Sequence, residues 1–120
     1  DALVLRSKGA RHAAGQIIPA GQVIHLRKRE IVWLLDAEGR VIRHEGVARV
    51  LIPYAAQGAS GLFASFAEML RVRRSAKRLG GVRGDERCIP AKYVTPPQIA
   101  AMWNGQCRPD ALAALDRLLD

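Results

Sequence analysis

Aromatic side chains are scarce: two Trp, two Tyr and two Phe supply 5% of 120 residues. A platform that stacks single-stranded bases needs several exposed rings in series, and this chain has few to offer. Long apolar runs are missing as well. None approaches the roughly 20 residues with which a helix spans a bilayer; the run from Ile31 to Leu35 is short. His12, His25 and His44 have no second His or Cys at helix-face spacing, so no metal set is marked out. There is no Gly-x-Ser-x-Gly and no P-loop. "AAQGASG" and "RLGGVRGD" contain glycine but lack the Lys-Ser/Thr of a phosphate cradle. These absences leave no catalytic, cofactor-binding or metal residue to assign, and the expectation is a non-enzymatic protein that uses no cofactor. A Cys–His or Asp–His pair assembled only in space is the one catalytic arrangement left open.

Cysteine is limited to Cys88 and Cys107. Two readings follow: one disulfide, worth about 3 kcal/mol by loop entropy, or two unrelated buried thiols. The first implies a periplasmic or secreted protein, the second a cytoplasmic one. The sequence opens on Asp1 rather than Met, as a trimmed chain or a mature protein would, so a missing leader carries no weight.

Positive charge is what the chain has in excess. Nineteen Lys and Arg against eleven Asp and Glu give +8, and an apolar content of 49% is enough for a packed core. The length fits one domain, residues 1–120. Net positive charge favours anionic partners: nucleic acid, phospholipid headgroups or other envelope polyanions. The predominance of Arg over Lys suits bidentate phosphate or carboxylate contacts. It also fits the codon usage of a GC-rich genome, as the abundant Ala and Gly do.

The first half reads as β (residues 1–54). "ALVLRS" is extended, and "GQIIPAGQVIHL" places two β-branched pairs around Pro19-Ala20-Gly21, which has turn chemistry. "EIVWLLDAEGRVIRHEG" predicts a hairpin whose four-residue loop, Asp36 to Gly39, joins two strands, with Trp33 on the buried face. "ARVLIPY" adds a strand halted by Pro53. These strands make a small antiparallel sheet or a partly closed barrel.

The period then changes. Leu62, Phe66, Met69 and Leu70 recur at helical spacing after Ser60, predicting a basic amphipathic helix over 60–79, stopped by Gly80-Gly81. Thr95 with Pro96 and Pro97 starts a second helix, which ends at Gly105; Pro109-Asp110 opens a third. Residues 95–119 thus form an αα-hairpin. As a DNA-reading helix-turn-helix it fails, because "PDALAALDRLLD" offers one Arg and three Asp to a phosphate-lined groove. The fold class is α+β.

The densest positive stretch is "EMLRVRRSAKRLGGVRG". Arg71, Arg73, Arg74, Lys77 and Arg78 follow the end of the apolar stripe. They suit a helix C-terminus, where cations complement the dipole by about 0.3–1 kcal/mol each; they equally suit an anion-binding protrusion. Arg27, Lys28 and Arg29, close to the hairpin, extend the same surface.

"GQIIPAGQVIHLRKREIVWLLDAEGRVIRHEGV", then a helix, then "RLGGVRGDERC", resembles small exported (periplasmic) proteobacterial proteins of unknown function with an N-terminal β-domain. The likeness runs from about Leu3 to Cys88. The resemblance implies an envelope location and supports the disulfide, and it brings no catalytic residue with it. The chain departs from it in the basic Arg27-Lys28-Arg29 run and in ending on two helices. The expectation is therefore a cell-envelope binding or structural module, Cys88 bonded to Cys107, with a basic surface for an anionic envelope component or partner protein. The alternative is a cytosolic nucleic-acid-binding protein using Arg71 to Arg78.

Overall fold

The structure is a computed structural model and describes residues 1–9, 11–54, 60–75 and 94–119. Among the described residues six strands precede three helices: β1 (Ala2–Lys8), β2 (Ile17–Ile18), β3 (Val23–Leu26), β4 (Ile31–Asp36), β5 (Val41–Glu45), β6 (Ala48–Leu51), α1 (Ser60–Ser75), α2 (Pro96–Asn104) and α3 (Arg108–Leu119). The α+β class expected from the change of period is the one observed. A four-stranded sheet has the order β2-β1-β4-β5, and a separate two-stranded sheet pairs β3 with β6. Every pairing is antiparallel. The four-stranded sheet ends on β2 and β5 and does not close into a barrel.

Alternation along β1 and β4 explains the layering. Leu3, Leu5, Trp33 and Leu35 face the helices, where Phe66, Met69, Ile99, Trp103, Leu112 and Leu115 complete one cluster. Ala2, Val4, Val32 and Leu34 face the other way, onto Ile18, Ile24, Leu26 and Ile52. Both central strands are buried on both faces, so their sequences read as unbroken apolar runs rather than as alternation. The two-stranded ribbon covers one side of the sheet and the helices cover the other. A bulge between Val4 and Arg6 places Arg6, like Leu5, on the helix side. There Arg6 and Arg43 flank Trp33, with guanidinium carbons 4.9 and 5.4 Å from its ring centre.

The β4–β5 hairpin forms where the turn residues place it. Asp36 accepts the Glu38 and Arg40 amide N–H groups on its carboxylate, each at 2.9 Å, and Gly39 takes φ +85°. A Cβ on Gly39 would lie 2.9 Å from Pro97, so glycine here also lets α2 approach the turn. Pro19 and Gly21 do make a turn, in which the Gln22 N–H donates to the Pro19 carbonyl at 3.3 Å. It is not a hairpin, because β2 and β3 belong to different sheets. Gln98 Oε1 accepts the Thr95 N–H at 2.8 Å at the start of α2. The expected extension of α1 to residue 79 and its stop at Gly80-Gly81 lie outside the described residues. So does Cys88, and with it the expected pairing to Cys107. Cys107 sits half-buried between α2 and α3 against the helix-side cluster, and among the described residues no cysteine is free.

Candidate functional site

The sequence places positive charge at two points, the end of α1 and the turn after β3. The two differ in what surrounds them. On α1, Arg73 follows the apolar stripe inward and its Nε lies 2.6 Å from Asp116 Oδ1 of α3. Arg74 is exposed and donates to the Ala14 carbonyl at 3.0 Å. Arg71 is exposed on the same helix and has a partner of its own. Lys77 and Arg78 lie outside the described residues. Elsewhere Arg40 pairs with Asp36 and Glu38, Arg43 with Glu45, and Arg108 with Glu68 at 3.6 Å. On the helices and the hairpin, Arg40, Arg43, Arg73 and Arg108 thus stand beside carboxylates.

The turn that carries Arg27, Lys28 and Arg29 is different. None of these three has a described carboxylate within ion-pairing reach. The turn is closed by the Glu30 N–H donating to the Arg27 carbonyl at 3.1 Å, while the Glu30 carboxylate accepts the Arg27 N–H. Arg29 adopts φ +71°, an unusual conformation for a side chain with a Cβ. Gly46 donates its N–H to the Glu30 carbonyl at 2.8 Å, and a Cβ on Gly46 would fall on the Arg27 carbonyl oxygen. The β5–β6 connection thus packs directly beneath the basic turn.

Pairing of β3 with β6 then brings in charges that are distant in sequence. His25 stands directly opposite Arg49, while Ile24 and Leu26 point to the core. Period-two alternation forces this division, so the outer face of the ribbon carries His25 and Arg49. Two concavities share that face. A broad groove of about 610 Å³ is lined by His25, Leu26, Arg27, Lys28, Val47, Ala48 and Arg49. A smaller hollow of about 120 Å³ is lined by Arg11, His12, His25, Arg27 and Glu30. His25 and Arg27 line both. Glu30 is the single acidic group of the two linings. Arg29 lines neither.

A third cavity, about 300 Å³, opens between α1 and α3 against Val72, Trp103, Arg108, Pro109, Leu112, Ala113 and Asp116. Arg108 covers the Trp103 ring at 4.4 Å, and the Trp103 indole N–H, buried, finds no acceptor among the described residues. Its wall is balanced in charge, since Arg108 is beside Glu68, and Asp116 beside Arg73. It offers an anion nothing comparable to the ribbon face.

Arg27 and Lys28 were legible in the sequence as part of a basic run; Arg11, His12, His25 and Arg49 were not singled out for binding. Their signal is the alternation of "VIHL" and "ARVL", which turns His25 and Arg49 outward once those two segments are paired. Among the described residues no group of three or more His, Cys, Asp or Glu could hold a metal ion. His44, on β5, has its pKa lowered by burial. No helix among the described residues is long and apolar enough to cross a membrane. What fold and face define together is an open α+β domain with an unneutralised basic ribbon. Comparison with protein families, curated proteins and solved structures finds no match for the chain.

Proposed function

We propose that the protein is a non-enzymatic binding module of the cell envelope which docks on an anionic membrane surface through the outer face of the β3–β6 ribbon. The observation that carries this reading is the segregation of charge. Arg40, Arg43, Arg73 and Arg108 of the hairpin and the helices stand beside carboxylates, whereas Arg11, Arg27, Lys28 and Arg49 gather with two histidines around one acid. Unneutralised cations beside exposed apolar groups suit a headgroup layer, and Val47 (83% exposed) and Leu51 (63%) lie on this ribbon or at its end. Net charge steers the encounter and the local cluster sets the orientation. The envelope location rests on the resemblance to exported proteins and on a Cys88–Cys107 disulfide, which belong to this proposal.

The test is co-sedimentation with vesicles of neutral phospholipid containing 30 mol% phosphatidylglycerol, about a third anionic lipid. Binding is expected, weakening as salt rises, because each juxtamembrane cation contributes about 1 kcal/mol. Replacing Arg27, Lys28 and Arg49 together by Ala should reduce the partition coefficient at least about tenfold, and Arg71→Ala should change it little. Equal binding to neutral vesicles, or loss on changing α1 but not the ribbon, would remove the reading. Retention on duplex DNA with a steep salt dependence and no retention on vesicles would replace it with nucleic-acid binding. Intact mass with and without reductant decides the disulfide.

A further inference from the structure

Within the basic face the smaller hollow has a character of its own. The broad groove is open and spread along the ribbon, as a surface contact requires. The hollow is compact, and its lining comes from three separate places: Arg11 and His12 from the loop after β1, His25 from β3, and Arg27 with Glu30 from the β3–β4 turn. Of these five side chains four are cationic or can become so, and all four are donors. Glu30 offsets one of the two guanidinium charges and leaves the lining net positive, and its carboxylate accepts the Arg27 amide N–H and so helps to hold the turn. The loop is fixed in its turn: Gly15 N–H donates to the Val4 carbonyl at 2.7 Å, Val4 N–H to the Gln16 carbonyl at 2.9 Å, and Arg74 to the Ala14 carbonyl.

From this geometry we infer that the hollow between Arg11-His12 and His25-Arg27 is a seat for one phosphate monoester group. This rests on the reading of the ribbon as an anion-binding face and names the chemistry recognised there. Two guanidinium groups can each grip two oxygens of a tetrahedral anion, and the two imidazoles supply single N–H donors. A monoester presents three free oxygens to such a ring of donors and leaves its one substituent to point outward. A diester has a substituent on two sides and only two free oxygens, so it meets fewer donors and collides with the wall. The broad groove, which shares His25 and Arg27, is where the outward substituent would lie.

The chemistry has two sources: a lipid with a monoester headgroup, or a free phosphorylated small molecule. The experiment titrates the protein with inorganic phosphate, phenyl phosphate and dimethyl phosphate at constant pH and ionic strength, following the imidazole signals of His12, His25 and His44 by NMR. Saturable shifts of His12 and His25, with His44 unmoved, are expected for phosphate and phenyl phosphate. Dimethyl phosphate should bind at least about tenfold more weakly, the loss of one charge-assisted hydrogen bond. Arg11→Ala and Arg27→Ala should each weaken phenyl phosphate by about ten- to a hundredfold, as removal of a hydrogen-bonded charge does, and Arg29→Ala should leave it unchanged.

Vesicles containing phosphatidic acid, compared with phosphatidylglycerol vesicles of matched charge, separate the sources. Preference for phosphatidic acid identifies a lipid headgroup; phenyl phosphate binding without that preference identifies a free monoester. No saturable shift of His12 and His25, or affinity indifferent to Arg11 and Arg27, overturns the seat. Vesicle binding that survives such a result leaves the membrane reading standing, and a working seat without vesicle binding sinks that reading alone.

Discussion

Arg73 and Arg27 carry the same charge and meet different surroundings. Arg73 lies on the stripe that α1 turns toward α3, so its guanidinium comes to rest 2.6 Å from Asp116. Both side chains are more than a third exposed, and a pair of that kind contributes about 0–1 kcal/mol. Its larger effect is to occupy a cation that sequence alone would offer to a partner. Arg27 stands in a turn where no described carboxylate pairs with its guanidinium, and its charge stays available. His44 shows a further residue-scale consequence. Burial lowers its pKa from the ordinary histidine value, so the unfolded chain takes up a proton first as pH falls. Its contribution to stability is therefore full above about pH 6.5 and is lost as pH falls from there through the lowered folded value. His44→Gln should show a smaller drop in melting temperature than the parent protein between about pH 7.5 and about pH 5.0, which bracket the ordinary imidazole value of about 6.5. Parallel drops would mean that His44 is not the group responsible.

At the scale of elements, the strand and helix positions were legible because their local chemistry agrees with the fold. The Asp36–Gly39 loop, the Thr95-Pro96-Pro97 start and the stop at Gly105 all lie where turn and cap residues put them. The partners of the strands were not legible. Nothing in "GQVIHL" says that Val23–Leu26 will pass over its neighbour β2 and pair with Ala48–Leu51. That pairing is what assembles the basic face, and so the site was legible only in its contiguous part, Arg27 and Lys28. Gly46 is the element-scale test. Its missing side chain lets the β5–β6 connection lie against the Arg27 carbonyl, and Gly46→Ala must push the two apart. Loss of about 1–3 kcal/mol is expected from overpacking, together with weaker binding of anionic vesicles. Unfolding in urea measures the first. A stable Gly46→Ala protein with unaltered binding would show that the turn does not depend on this contact.

The whole molecule is organised around two strands that serve two cores. Leu35 belongs to the helix-side cluster and its neighbour Leu34 to the ribbon-side cluster, yet both hang from β4. Breaking β1 from β4 would open both cores at once, because each strand supplies side chains to both. Leu34→Ala and Leu35→Ala should each cost about 2–5 kcal/mol, the range for a buried leucine. In both variants near- and far-ultraviolet circular dichroism should report one coincident transition. A variant in which the helices survive after the sheet signal is lost would show two units that fold independently. The charge pattern follows the same layering: Arg40, Arg43, Arg73 and Arg108 pair with carboxylates on the hairpin and the helices, and the ribbon carries cations with little acid.

Arg6, in the first strand, donates to the carbonyl of Leu119 at the end of the last helix, 113 positions further on, at 2.9 Å. It does so from a bulged site against Trp33, which β4 supplies and β5 flanks. During synthesis this clasp becomes available only after α3 has been made, since its acceptor follows all the other elements described. Until then, of the described helices, α1 and α2 alone cover that side of the sheet, and the nascent chain shows apolar surface to whatever accompanies it. Contacts of such long range make folding slow, and the half-covered intermediate is the form in which this chain is open to aggregation or to a chaperone.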